Sequence, residues 1–275
     1  MRLQPIPRPT KDALPARGIR AARFSRIGSD GSRDEGIERD VAVEAPVSVE
    51  VNGIGLAVMM ATPRDLQDFA IGFARAEGLL DRIADAEAVD VHEVQAGHVV
   101  RLWLRSDCAD RVAERARSRI TESACGLCGL ASLEAAMRPL PPVREPIEVD
   151  AEAVFRAMEE LPRHQELGHR TGAMHAAALC DRSGTIGLVR EDVGRHNALD
   201  KLVGAAIRAG TDTSAHFALV TSRLSFELVE KAVRAPFGAL VAISAPTSLA
   251  LDRAAEAGLP VIALARSDAV LASRA

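Results

Sequence analysis

The sequence predicts an α/β protein in two parts, and three observations carry that expectation. From Phe217 to Ala265, short apolar runs alternate with amphipathic stretches as strand, helix, strand, helix, strand. That order is the mark of a parallel sheet with crossover helices. From Val47 to Leu104, apolar residues instead alternate singly around turn signals, as antiparallel hairpins do. Between the two patterns, Arg138-Pro-Leu-Pro-Pro142 forms a stiff connector. The chain is therefore divided into an arm over residues 1–38, an α+β domain with antiparallel strands over 39–138, and an α/β domain over 139–275.

Composition sets the outer limits. A hydrophobic content of 48% supports a sizeable core, and 3% aromatic residues means that core is built from Ala, Val and Leu. The formal charge of −4 gives no overall attraction to nucleic acid or to an anionic membrane. No apolar run is long enough to span a bilayer. The N-terminal stretch lacks the apolar core of a secretion signal, and four irregularly spaced cysteines do not make a disulfide scaffold. A reducing cytoplasm is the expected compartment.

In chain order, residues 1–38 mix Pro, Arg, Gly and Ser without periodicity and read as a mobile, solvated arm. Val47, Val49 and Val51 alternate, Asn52-Gly53 signals a tight hairpin turn, and Ile54 to Met60 returns as a second strand. Thr62-Pro-Arg-Asp65 reads as a helix start, with Thr62 as cap and Pro63 at the first helical position. Leu66, Phe69, Ala70 and Phe73 then give that helix one apolar face. Val89–Val94 and His98–Leu104 form another strand pair, with His92 and His98 read as strand-surface residues. Asp110 to Ile120 is a charged helix leading into a cysteine-bearing loop, Cys125-Gly-Leu-Cys-Gly129.

That loop is the chemical centre of the sequence. A glycine after each cysteine leaves the backbone permissive and uncovered. The Ala- and Leu-rich stretch from Leu130 to Arg138 reads as a helix with Cys128 at its entrance, where the dipole favours a thiolate. Three readings of the pair are open: a redox or sulfur-carrying dithiol, half of a zinc site, or inert packing. Zinc needs a second close pair of ligands, whereas Cys108 and Cys180 are isolated. The reactive dithiol ranks first, and no metal site is assigned.

Two further stretches suggest an anion. In Glu191-Asp-Val-Gly-Arg-His-Asn-Ala-Leu-Asp-Lys201, Arg195 and His196 sit at the start of an amphipathic helix. Cations are unfavourable at that end of a helix unless an anion accompanies them. At the carboxyl ends of the predicted strands lie Thr221-Ser222-Arg223, Ser244-Ala-Pro-Thr-Ser248 and Arg266-Ser267, where open α/β sheets bind ligands. Their hydroxyls suit a phosphate, or serve only as helix caps, and the residues alone leave both readings open.

Five blocks together, Cys125-Gly-Leu-Cys-Gly129, Thr171-Gly-Ala-Met-His-Ala-Ala177, Glu191 to Lys201, Thr221-Ser-Arg223 and Ser244-Ala-Pro-Thr-Ser-Leu249, resemble the formate dehydrogenase accessory sulfurtransferases. The resemblance runs from about Val41 to about Leu264. It implies a cytidine-deaminase-like fold for the second domain and a homodimer. It implies a sulfur carrier that takes a persulfide sulfur from a cysteine desulfurase. The sulfur is passed to the molybdenum bis-guanine-dinucleotide cofactor destined for the catalytic subunit of formate dehydrogenase. It implies Cys125 as the carrier, with Cys128 assisting, and a cofactor site that takes in Arg195, His196, Ser222 and Arg223. The family's cofactor-contacting turn maps by position onto Leu264, Ala265, Arg266, Ser267, Asp268 and Ala269. The family pattern there contains Gly and Arg and is followed by an aromatic tail; here Arg266 is the only cation and no aromatic follows.

Three rivals are weighed. Deamination would suit the fold, but zinc deaminases need H-x-E, and His175-Ala-Ala177 puts alanine in place of the glutamate. A thiol–disulfide redox protein and a non-catalytic nucleotide-binding module are the other two.

Overall fold

The structure, a computed structural model, describes residues 18–124 and 139–273. Cys125, Cys128 and the helix expected over Leu130–Arg138 lie outside the described residues.

The chain opens on a hairpin of β1 (Ile19–Ile27) and β2 (Arg33–Ala42), which stands as a separate two-stranded sheet. Residues 19–38, expected to be an arm without regular structure, are therefore strand. The reason they escape a pattern search is visible in their burial: nearly every residue of both strands faces water, so no apolar alternation is imposed. What the sequence does carry is the turn chemistry, since Asp30 Oδ1 accepts from Ser32 N at 2.9 Å.

A four-stranded sheet follows, in the order β4-β3-β6-β5, built from β3 (Ala45–Val51), β4 (Ile54–Ala61), β5 (Ala86–Val94) and β6 (Gly97–Leu104). Asn52 at φ 49° and Gly53 at φ 78° make the predicted tight turn. Each hairpin is antiparallel, but the two meet through a parallel β3–β6 pair. Val47, Val49, Val51, Val100 and Leu102 turn inward and are fully buried against α1 (Leu66–Ala76) and α2 (Ala109–Ala124). Each such side chain contributes about 1.5–3 kcal/mol by leaving water.

α1 starts at Leu66, not at Thr62. Its N-cap is Asp65, in the left-handed region at φ 55°, and Asp65 makes no side-chain capping bond. Thr62 is occupied elsewhere, in the joint described below.

The second sheet has the order β12-β11-β10-β9-β7-β8. Its centre is the parallel run β9 (Phe217–Val220), β10 (Ala239–Ala242) and β11 (Val261–Ala263), as the alternation predicts. β7 (His175–Cys180), β8 (Ile186–Asp192) and the short β12 (Leu271–Ala272) are added antiparallel. One face packs on α5 (Arg195–Ala209), α6 (Phe226–Arg234) and α7 (Ser248–Ala257). The other packs on α3 (Ala151–His164). The short α4 (Glu166–Thr171) leads into β7. The described part of the connector, Pro139 to Pro142, runs on into a segment held by Val143 N to Ala257 O and Ile147 N to Gly238 O.

The two sheets are joined through crossed helices. A Cβ on Gly72 of α1 would lie 1.7 Å from Asp200 O, and one on Gly204 of α5 would lie 1.8 Å from Asp68 O. Only glycine permits backbones that close. Asp68, buried beside the crossing, is held by Arg190 at 2.7 Å and Arg208 at 2.5 Å.

Candidate functional site

The strand order collects the predicted ligand residues at one end of the second sheet. β8, β9, β10 and β11 all finish there and β7 begins there, because β7 runs opposite to its neighbours. Three helices start at that end: α5 behind Gly194, α6 behind Ser225 and α7 behind Thr247. Their first amides and dipoles favour negative charge in the crevice.

Each hydroxyl has a definite task. Thr221 Oγ1 accepts from Ala176 N at 2.8 Å, fastening β9 to the start of β7. The buried Ser222 donates to Arg223 O at 3.0 Å, and Thr247 Oγ1 caps α7 through Ala250 N at 3.3 Å. These are the capping and turn roles of the two readings left open above. Ser225, although at the N-cap of α6, makes no capping bond; its Oγ lies 3.4 Å from His196 Nε2.

The cations behave differently. Arg223 is exposed at the end of β9. Arg195, at the first turn of α5, has a buried Nε without a hydrogen-bond partner among the described residues. A buried N–H of that kind costs about 1–3 kcal/mol until an acceptor meets it. Burial, together with the adjacent Arg195, lowers the His175 ring from its ordinary value. His196 is pushed down to about 4, by burial first, against the upward pull of Glu227 at 2.8 Å. The His196 ring is thus neutral near pH 7 and hydrogen-bonded to the carboxylate.

The six-residue turn Leu264–Ala269 stands at the same sheet end, after β11. Ala265 is buried, whereas Arg266, Ser267, Asp268 and Ala269 are exposed. Leu264 adopts φ 49°, a left-handed conformation costing a branched residue roughly 1–2 kcal/mol. It is held there by Leu264 N to Ser244 O and Ala265 N to Ala242 O.

Most of the Glu191–Lys201 block is a joint rather than a ligand site. Lys201 Nζ lies 2.6 Å from Asp192 Oδ2, 2.9 Å from Thr62 O and 3.4 Å from Glu191 O. Those acceptors match the three donors of an ammonium group. Asp192 also accepts from Thr62 N, Gly194 N and Asn197 Nδ2, and Asn197 donates in addition to Met60 O. Glu191 accepts from Leu167 N and Gly168 N at the start of α4. Asp200 pairs with Lys231 of α6 at 2.6 Å. The block thereby ties β4 of the first sheet to β8 and α5 of the second, and leaves Arg195 and His196 beside the crevice.

Sequence alone does not signal Glu227 as the partner of His196. The joint did leave a signal: Asp200 and Lys201 stand next to Leu199, Leu202 and Val203, and charges set on an apolar helix face require buried partners.

Cys108 and Cys180 are buried free thiols, and burial raises both well above their ordinary range. Neither supplies a thiolate. The candidate reactive pair, Cys125 and Cys128, follows directly on α2 in the chain and lies outside the described residues.

Comparison with known proteins covers nearly the whole chain. Residues 42–272 match the FdhD/NarQ family. The sulfur carrier protein FdhD of Variovorax paradoxus (strain S110) is 46% identical over 272 residues, covering 98% of this chain and 94% of that protein. The protein of the same name from Xanthomonas campestris pv. campestris (strain B100) is 42% identical over 258 residues, covering 94% and 90%. Among solved structures, one described as a formate dehydrogenase accessory protein from Desulfotalea psychrophila superposes with a TM-score of 0.73. It is 21% identical and covers 94% of this chain and 97% of its own, a likeness of fold.

Proposed function

The chain belongs to the FdhD/NarQ family, and from that premise we propose that it is a sulfurtransferase that carries sulfur as a persulfide on Cys125. The names of its relatives support a sulfur-carrying role. The observation that carries the finer reading is the crevice, where three helix N-termini converge beside Arg223 and the unpartnered Nε of Arg195. An array of amides and guanidinium groups with no protein acceptor suits phosphate oxygens. A guanine-dinucleotide cofactor of molybdenum, taken as substrate, would present its phosphates there.

In this reading the Cys125 thiolate attacks the outer sulfur of a cysteine desulfurase persulfide. A new S–S bond forms at Cys125, the old one breaks, and the desulfurase thiolate leaves. Delivery as sulfide needs a second thiolate: Cys128 attacks Cys125 Sγ, hydrosulfide leaves, and a Cys125–Cys128 disulfide remains for a thiol reductant to reopen. The recipient is the cofactor of a formate dehydrogenase, and the working form is a homodimer in the cytoplasm. Among the described residues no helix is long and apolar enough to cross a membrane.

Intact-mass analysis after incubation with a cysteine desulfurase and cysteine tests the carrier step. One added sulfur atom, lost in Cys125→Ala and kept in part by Cys128→Ala, is the expected result. A Cys125→Ala chain that still gains sulfur and still activates the dehydrogenase overturns the assignment. A pair that only cycles between dithiol and disulfide, without added mass, marks a redox protein instead.

A further inference from the structure

The hairpin of β1 and β2 has two long strands and almost no support. It is tied to the rest of the chain at its base, where Ile19 is buried and Arg170 pairs with Asp40 at 2.8 Å. Beyond that base both strands lie in water, with Phe24 45% and Ile27 53% exposed. A lone two-stranded hairpin is marginal in water, and its outer edge is a row of unpaired amides and carbonyls. One other strand of similar length has the same defect: β5, nine residues like β1, lies at the edge of the four-stranded sheet and pairs only with β6.

The two edges match residue for residue. Taken in the same direction, Arg20-Ala-Ala-Arg-Phe-Ser-Arg-Ile27 faces Glu87-Ala-Val-Asp-Val-His-Glu-Val94. Arg23 meets Asp90 and Arg26 meets Glu93, while Ala22 meets Val89, Phe24 meets Val91 and Ile27 meets Val94. Arg26 is held at home only by Asp34 at 3.8 Å, with both side chains largely in water.

Backbone geometry independently selects this direction. Gly18 O accepts from Val43 N and Gly28 N donates to Ser32 O, so even-numbered residues of β1 turn their amides toward β2 and odd-numbered ones turn outward. The irregularity in the hairpin lies on β2, where two residues stand opposite Ser25, and it leaves this alternation intact. In β5, Val94 and Gly97 close a two-residue turn, so even-numbered residues face β6 and odd-numbered ones face outward. The carbonyl of Val89 does face outward, where it accepts from Gln67 Nε2. In a parallel ladder an outward residue bonds the two neighbours of its opposite number. Odd residues of β1 must then stand opposite even residues of β5, as Arg23 does opposite Asp90. An antiparallel ladder would need odd opposite odd, which sets Arg23 against Val89 or Val91 and leaves the acids unmatched.

We propose that β1 of one copy of this chain adds in parallel to β5 of a second copy, with Arg23 opposite Asp90 and Arg26 opposite Glu93. The donor is a second copy because β1 and β5 of one chain stand in separate sheets, and the base of the hairpin is anchored to α4. The exchange is reciprocal and independent of the chemistry at the sheet end. Backbone bonds along the edge supply the attachment, and the charge pattern supplies the register.

The test uses the full chain and two charge reversals, Arg23→Glu with Arg26→Glu, and Asp90→Arg with Glu93→Arg. All six side chains concerned, Phe24 and Ile27 included, are exposed, so circular dichroism should show both variants folded. By sedimentation, the unaltered chain should have twice the monomer mass and each variant alone the monomer mass. An equimolar mixture of the two variants should return to the dimer, since every arm then meets an edge of opposite charge. A monomeric unaltered chain, a variant that remains dimeric alone, or a mixture that stays monomeric would each overturn the proposal.

Discussion

Lys201 Nζ lies 2.6 Å from Asp192 Oδ2, and neither side chain is reached by solvent. Burial lowers the Lys201 ammonium from its ordinary value, and Asp192 opposes that shift. The pair also binds Thr62, a residue of the other sheet's half, through both its backbone groups.

Lys201→Met should therefore destabilise the fold by about 3–5 kcal/mol, because it leaves a buried carboxylate without its counter-charge. Asp192→Asn added to Lys201→Met should recover part of that loss. Chemical denaturation of both variants measures it, and a Lys201→Met cost below about 1 kcal/mol would show the joint to be dispensable.

The helix crossing gives a second prediction. Gly204→Ala places a methyl group 1.8 Å from Asp68 O, and should cost about 1–3 kcal/mol or more through forced separation of the helices. Gly187→Ala, where the nearest atom is 3.9 Å away, is the matched control and should be close to neutral. Because Gly72 and Gly204 relieve one crossing, the double alanine variant should cost less than the two single costs added together.

A pH dependence follows from His196. Its folded value, about 4, lies below the ordinary 6.5, so between those limits the unfolded chain binds the proton and the folded chain does not. Stability from this group is complete above about pH 6.5 and is lost as pH falls towards 4. Asp200, pushed up to about 6 by burial, contributes the opposite slope over part of that range. The observable is thus the difference between the unaltered chain and His196→Gln in thermal unfolding. That difference should shrink on acidification, and a constant difference from pH 7 to pH 4 would contradict the assignment.

For the crevice, Arg223→Ala should weaken guanosine diphosphate binding by about 1.5–3 kcal/mol if the guanidinium donates to a phosphate. Isothermal calorimetry decides it. Unchanged affinity removes Arg223 from the site, and Arg195→Gln examined in the same way reports on the unpartnered Nε.

The strands and helices that bury a face were legible in the sequence. Val47, Val49 and Val51 alternate because one side is core, and Phe217 to Val220 is uniformly apolar because both sides are. The hairpin over Ile19–Ala42 was not legible, because strands wet on both faces impose no alternation. The start of α1 was misplaced because Thr62 has the composition of a cap and the position of a tertiary ligand, a distinction that only its contact with Asp192 makes. For the site, Arg195 and His196 could be placed at a helix start. That Thr221 and Ser222 are consumed by local backbone could not be, since a hydroxyl's partner depends on which strand lies beside it.

The order of synthesis gives the joint a further consequence. Thr62 leaves the ribosome 139 residues before the lysine that its carbonyl will bind. Until then the first sheet's half has an open carbonyl and a glycine groove along α1 but no helix to fill it. The half that follows cannot hide Lys201 without Thr62 to help neutralise its demand for acceptors. Neither half can complete its interior alone, so a chain cut short anywhere before α5 retains a visible defect. Long-range closure of this kind comes late in folding, and it makes a finished interior a report that synthesis has passed residue 201.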